Sequence, residues 1–251
     1  MEIITSNKNP IAQKTIKIKK DGENFLFLEN IKLICEAKDA GHKIMYVMIE
    51  KKKFDYFKTN FPFVLESEFY IVSEDVFSKI CDTKSPQGIV AVVEFHNKKP
   101  DKIESNFLVL ENVQDPGNVG TIIRSASGTS FKDIFLIDCV NIFNQKVIRS
   151  TMGGIFKENL FSFKSLDEFL EFFKDKEYPL LVADMDGENL FEMKKMKEPF
   201  GVVIGNEGNG VSKQLKNLAT KSISIPMKNG LESLNAGVSC SIITYFLDNI
   251  R

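Results

Sequence analysis

The chain has 251 residues, 43% of them apolar, and a formal net charge of −1, so it is long enough for one large α/β domain or a large and a small one, and its overall charge gives no pull toward polyanions. Four cysteines with no CxxC pair and only two histidines, His42 and His96, argue against a zinc site, a disulfide framework or histidine-based acid–base chemistry, and no metal is expected. Neither a leader-like segment nor an apolar run near 18 residues is present, which points to a reducing cytoplasm.

In chain order, the first elements are a strand FLFLE from Phe25, a helix from about Asn30 to Ala40, and strands KIMYVMI from Lys43 and FYIV from Phe69. A helix from Ser73, the turn SPQG at Ser85 and the run IVAVVEF from Ile89 complete an α/β unit over residues 1–96. Lysine runs at Lys17, Lys51 and Lys98 read individually as solvated faces. Residues 97–105, polar and broken by a proline, read as a linker to a second domain over 106–251.

The second domain predicts strands at Phe107–Val113, Ile134–Asp138, Tyr178–Met185, Gly201–Gly205 and Ser222–Pro226, with helices between them. One helix starts at Leu166 behind a capping box, Ser165 with Glu168. Continuous apolar strands separated by helices imply a parallel sheet covered on both faces, whose ligands gather at the carboxyl ends of its strands.

Three of those ends carry unusual loops: QDPGNVG from Gln114, GNEGNG from Gly205 and PMKNGLESLNAG from Pro226. Their glycines let main chain approach a ligand closely, and the helices that follow offer unpaired N–H groups. Neither a dinucleotide nor a Walker A fingerprint is among them, which disfavours a nucleotide-dependent dehydrogenase. Among 33 basic residues only three are arginines. Arg124 follows the first loop and Arg149 lies in VIRSTMGGIF, so each marks a place where the planar fork of guanidinium matters.

NVQDPGNVGTIIRSAS, VVIGNEGNGVS and ISIPMKNGLESLNAGVSCSIITY resemble, in order, spacing and strand context, the three signature motifs of the SpoU (TrmH-type) branch of the SPOUT RNA methyltransferases. The resemblance covers about residues 106–248, and FLFLEN and SPQGIVAVV are similar to the small substrate-binding domain of its rRNA-modifying members. It implies S-adenosylmethionine as donor, a ribose 2′-hydroxyl as acceptor, a parallel-sheet α/β fold with a C-terminal trefoil knot, and a homodimer. On matching positions it implies Arg124, Asn118, Glu207, Ser233 and Asn235 as the catalytic set, with Gly205, Ile225, Leu234, Ala183 and Met227 around the donor. Arg149 reads as a phosphate contact to RNA, or as a structural ion pair. Two departures stand out: AGVS follows Asn235 where VSVA is common, and Asn30 stands where glycine is usual. An rRNA is the favoured substrate. A tRNA substrate and a non-catalytic assembly factor are the alternatives, and the intact catalytic set weighs against the latter.

Overall fold

A computed structural model describes residues 3–22, 24–83, 85–96, 100–197 and 199–250. The chain divides into two compact units, Met1–His96 with Phe143–Ile148, and Asn97–Ile142 with Arg149–Arg251. The central linker residues 97–99, with the lysine pair at Lys98, lie outside the described residues.

The first unit is built on five strands, β1 (Ile3–Ile4), β2 (Phe25–Leu28), β3 (Ile44–Glu50), β4 (Glu68–Val72) and β5 (Ile89–Glu94), in the order β1-β4-β3-β5-β2. Strand β5 is antiparallel to both neighbours, while β4 is parallel to β1 and β3. Its run IVAVV is buried throughout, as expected of a strand covered on both faces. The helices are α1 (Pro10–Asp21), α2 (Ile31–Asp39), α3 (Phe54–Asn60) and α4 (Glu74–Ile80). Helix α1, where the first lysine run sits, went unread in the sequence; Asn9 caps it ahead of Pro10, whose fixed φ suits a first helical position. The unusual Asn30 caps α2 from an extended backbone, accepting from the Leu33 amide at 3.1 Å, so the side chain replaces what a bare glycine would leave to solvent.

The second unit has six strands, β6 (Asn106–Glu111), β7 (Phe131–Ile137), β8 (Asn159–Phe163), β9 (Leu180–Asn189), β10 (Gly201–Ile204) and β11 (Lys221–Ser224). All pair parallel, in the order β11-β9-β10-β6-β7-β8. The helices are α5 (Pro116–Ala126), α7 (Leu166–Phe173), α8 (Lys213–Leu218) and α9 (Ala236–Asn249), while α6 (Gln145–Thr151) begins in the stretch that clusters with the first unit and ends in the second.

Two strands differ from expectation. The sequence reading missed β8, because NLFSF is short and sits among polar residues. Strand β9 runs past Met185 to Asn189, where it pairs with β11 again after a register shift. Gly187 permits this, since a Cβ there would lie 2.5 Å from the Ile223 backbone nitrogen.

With 22 phenylalanines and no tryptophan, the core of this unit is phenyl-rich. Under α7, Phe135 stacks on Phe161 at 5.1 Å, and Phe169 meets both Phe163 and Phe173 at 5.4 Å. Offset and edge contacts of this kind add to the area that the rings bury. On the other side α9 returns to α5, where the Ser125 and Ser241 hydroxyls are 2.6 Å apart and Gly237 brings the helix close to Thr121.

Candidate active site

The first two glycine-rich loops meet at the carboxyl ends of β6 and β10. Asp115 caps α5 by accepting from the Asn118 amide at 2.9 Å, with Pro116 in the first turn. That cap fixes the backbone of Asn118, whose buried side chain donates from Nδ2 to Glu207 Oε1 at 2.7 Å. A carboxylate that accepts such a bond is held in one orientation at the loop tip.

Asn206 anchors the same loop to β6. Its Nδ2 donates to the Asn112 carbonyl at 2.8 Å, and its Oδ1 accepts from the amides of Gly208 and Asn209 at 2.9 and 3.1 Å. Asn206 and Gly210 also exchange backbone bonds, which closes the loop. Gly205 is required for this closure, since a Cβ there would meet the Gly210 carbonyl carbon at 2.3 Å. Below, the buried Glu111 accepts from the Ser212 amide at 2.7 Å.

Arg124 lies two turns into α5 with its side chain exposed, and among the described residues its guanidinium takes no hydrogen-bond or ion-pair partner. Gly154 packs against that turn, where a Cβ would come within 3.3 Å of the Arg124 Cα. Gly154 closes the VIRSTMGG segment, whose residues from 149 on lie in the same unit as α5. Arg149, exposed on α6, belongs to that segment.

The third loop, between β11 and α9, closes a cavity of about 260 Å³ against the end of β9. Four expected donor-site residues, Ala183, Ile225, Met227 and Leu234, line it together with Ser233. Gly205 is not among the lining residues; the structure places it in the closure of the second loop. Asn235 caps α9, its side chain accepting from the Val238 amide at 3.2 Å.

Two carboxylates in the wall, Asp184 and Glu232, went unread in the sequence. Asp184 looked like the continuation of a strand, and only the third loop folding over it shows its place. Its carboxylate pairs with Lys216 Nζ, which holds its pKa below the ordinary value. By contrast, burial pushes the Cys81, Cys139 and Cys240 thiols up to about 12, so none of these three is poised as a thiolate nucleophile.

A parallel α/β sheet with a loop-closed cavity at its strand ends, and an exposed arginine on the helix that follows the first glycine-rich loop, defines a group-transfer site of a recognisable kind. The model of the SpoU rRNA Methylase family matches residues 105–245, more than half of the chain, and the chain belongs to that family. It is an RNA methyltransferase. The MRM3-like substrate binding domain model matches residues 14–91.

An uncharacterized tRNA/rRNA methyltransferase of Synechocystis sp., slr1673, is 29% identical over 262 residues, covering 96% of this chain and 92% of that protein. The 23S rRNA (guanosine(2553)-2′-O)-methyltransferase RlmP of Bacillus subtilis is 28% identical over 254 residues, 98% and 99% of the two chains. Among solved structures, the AdoMet-bound rRNA methyltransferase of Sinorhizobium meliloti superposes with a TM-score of 0.83 at 23% identity, covering 98% of this chain and 97% of that one, which establishes the shared fold.

Proposed function

We propose that the protein transfers the methyl group of S-adenosylmethionine to a ribose 2′-hydroxyl of ribosomal RNA. The observation that carries this reading is the junction of the first two loops, where Asn118 holds Glu207 from the same helix that presents a free Arg124. Similarity over nearly the full length to a named rRNA 2′-O-methyltransferase supports the substrate class.

The cavity suits the donor. Ile225, Leu234 and Met227 offer apolar surface to an adenine ring, and Ala183 leaves room beside it. Glu232 in the wall offers negative charge to a cationic donor, whereas Asp184 is already paired with Lys216. When bound, the donor supplies an electrophilic methyl group on sulfur.

The chain's own residues do the rest. Transfer is an in-line displacement, so the acceptor oxygen must be held close to the methyl carbon. An alcohol is a weak nucleophile and gains strength as its proton leaves. Guanidinium keeps its proton at working pH, so Arg124 acts by gripping the adjacent phosphate and stabilising the developing alkoxide, while the hydroxyl proton passes to solvent water and the methyl–sulfur bond breaks to leave a neutral thioether. Glu207, oriented by Asn118, steadies that geometry, while Ser233 borders the cavity from the third loop and Asn235 fixes the start of α9 beside it in sequence.

We assign substrate RNA binding to residues 1–96 and chemistry to residues 106–251, joined by residues 97–105, with Arg149 as a phosphate contact. A knotted C-terminal segment and a homodimer belong to the same reading, both following from family resemblance.

Labelled methyl transfer from S-adenosylmethionine to separated, unmodified rRNA and tRNA pools tests it. Label on rRNA riboses is expected, lost in Arg124→Ala and reduced at least about 100-fold in Arg124→Lys, which keeps charge but not the fork. Label on tRNA alone would move the substrate assignment, and near-normal turnover in Arg124→Lys would sink the role given to Arg124.

A further inference from the structure

A second cavity, of about 380 Å³, lies over the ends of β6, β7 and β10 and the start of α7. It shares a loop with the reaction site. Asn206, Asn209 and Gly210 line it, and Glu207, between them in sequence, is the residue that Asn118 holds.

Its walls differ from those of the donor cavity. Glu111 is 8% exposed and uses one carboxylate oxygen for the Ser212 amide. Asp138 sits across the strand ends at φ 46°, tied to Asn112 through Oδ2 and to Gln114 through its carbonyl. The Asn209 side-chain amide and the Lys164 ammonium, also on the wall, take no hydrogen-bond or ion-pair partner among the described residues.

This set selects among ligands. The space is within the range of small-molecule sites. Two carboxylates oppose a phosphate on the cavity floor but accept from amino and imino N–H groups. A free amide donates and accepts side by side, as nucleobase edges require. The single lysine suits a phosphate flanking such a base.

We propose that this cavity is a base-reading subsite, holding one unstacked nucleobase with an exocyclic amine while a ribose of the same RNA strand reaches Arg124. The proposal deepens the RNA methyltransferase reading and rests on it. It adds a local check of base identity to a reaction whose acceptor, the ribose, is the same in all four nucleotides.

The test uses the full chain and four probes, GMP, CMP, AMP and UMP, titrated while the Asn209 side-chain amide and the Gly210 and Lys164 backbone amides are followed by NMR. Saturable shifts are expected for the three amine-bearing nucleotides, with UMP at least about fivefold weaker. Glu111→Gln, which keeps an acceptor for the Ser212 amide, should weaken the three by about tenfold and UMP, which has only its imino N–H to donate, by less than about threefold. Equal binding of all four, or shifts confined to the donor cavity, overturns the subsite.

Methyl transfer separates this failure from failure of the parent reading. Asn209→Ala should raise KM for rRNA about tenfold with donor affinity unchanged. Unaltered KM in that variant overturns the subsite while leaving the enzyme intact. If wild-type protein binds the nucleotides as expected but labels no rRNA, it is the rRNA methylation reading that falls.

Discussion

The loops that build the site are held in two different ways. The first pair, after β6 and β10, is cross-tied by side chains: Asn118 to Glu207, Asn206 to Asn112, and Glu111 to Ser212. The third, after β11, has one backbone bond within it, from the Leu231 amide to the Lys228 carbonyl at 3.3 Å, and it turns through left-handed conformations at Asn229 and Gly230. Groups that stabilise a transition state work best when fixed beforehand, whereas a donor must enter and leave each cycle. On the proposed reading, the difference in tethering suits the first pair to holding the reacting groups and the third loop to admitting the donor.

The largest way to break this contrast is Gly205→Ala. The added carbon cannot coexist with the Gly210 carbonyl at 2.3 Å, so the second loop must open. Single-turnover methyl transfer should fall by about 1,000-fold, or roughly 4 kcal/mol, with the fold retained by circular dichroism. Next is Asn118→Ala, which releases Glu207. A loss of about 2–3 kcal/mol in kcat/KM is expected, with donor affinity changed less than about threefold. Equal losses in both quantities would mean that the two loop systems are not separate.

Hydrogen exchange then examines the third loop directly. Adding S-adenosylhomocysteine should slow exchange at residues 227–233 by about tenfold and leave 205–210 unchanged. Uniform protection would erase the distinction.

The smallest effect lies away from the loops, at the opposite end of the sheet, and gauges global stability alone. The Glu158 side chain is fully buried, with one oxygen 3.2 Å from Lys132 and the other without a hydrogen-bond partner among the described residues, and burial pushes its carboxyl up to about 6. A carboxyl raised from the ordinary 4.5 binds its proton more tightly in the folded state, so its contribution is greatest below pH 4.5 and is lost as pH rises through 6. Glu158→Gln should thus stabilise the protein by about 1 kcal/mol at pH 7.5 and not at pH 4, measured by urea denaturation, with methyl transfer unaltered.

Much of this was legible in the sequence because it is local. Loop residues such as Asn118, Glu207 and Asn235 stand beside glycines and cap signals that fix their neighbourhood, and the apolar strands announce a parallel sheet. What the sequence concealed depends on distant residues. The Asn118–Glu207 bond spans 89 positions, and the second pairing of β9 with β11 rests on Gly187, which by itself reads as the end of a strand. Asp184 and the cavity over β6, β7 and β10 appear only when separate strand ends come together, because no single segment contains their chemistry.

The seam between α5 and α9 also sets a clock. Ser125 and Ser241, which touch across it, are 116 residues apart in the chain. At about 5–20 residues per second, a ribosome needs roughly ten seconds after making Arg124 before it makes the helix that supports it. Long-range pairing of this kind is also slow to form. On the proposed rRNA specificity, a half-made copy emerging beside ribosomal RNA therefore has no competent site, and methylation waits until the whole seam has been synthesised and closed.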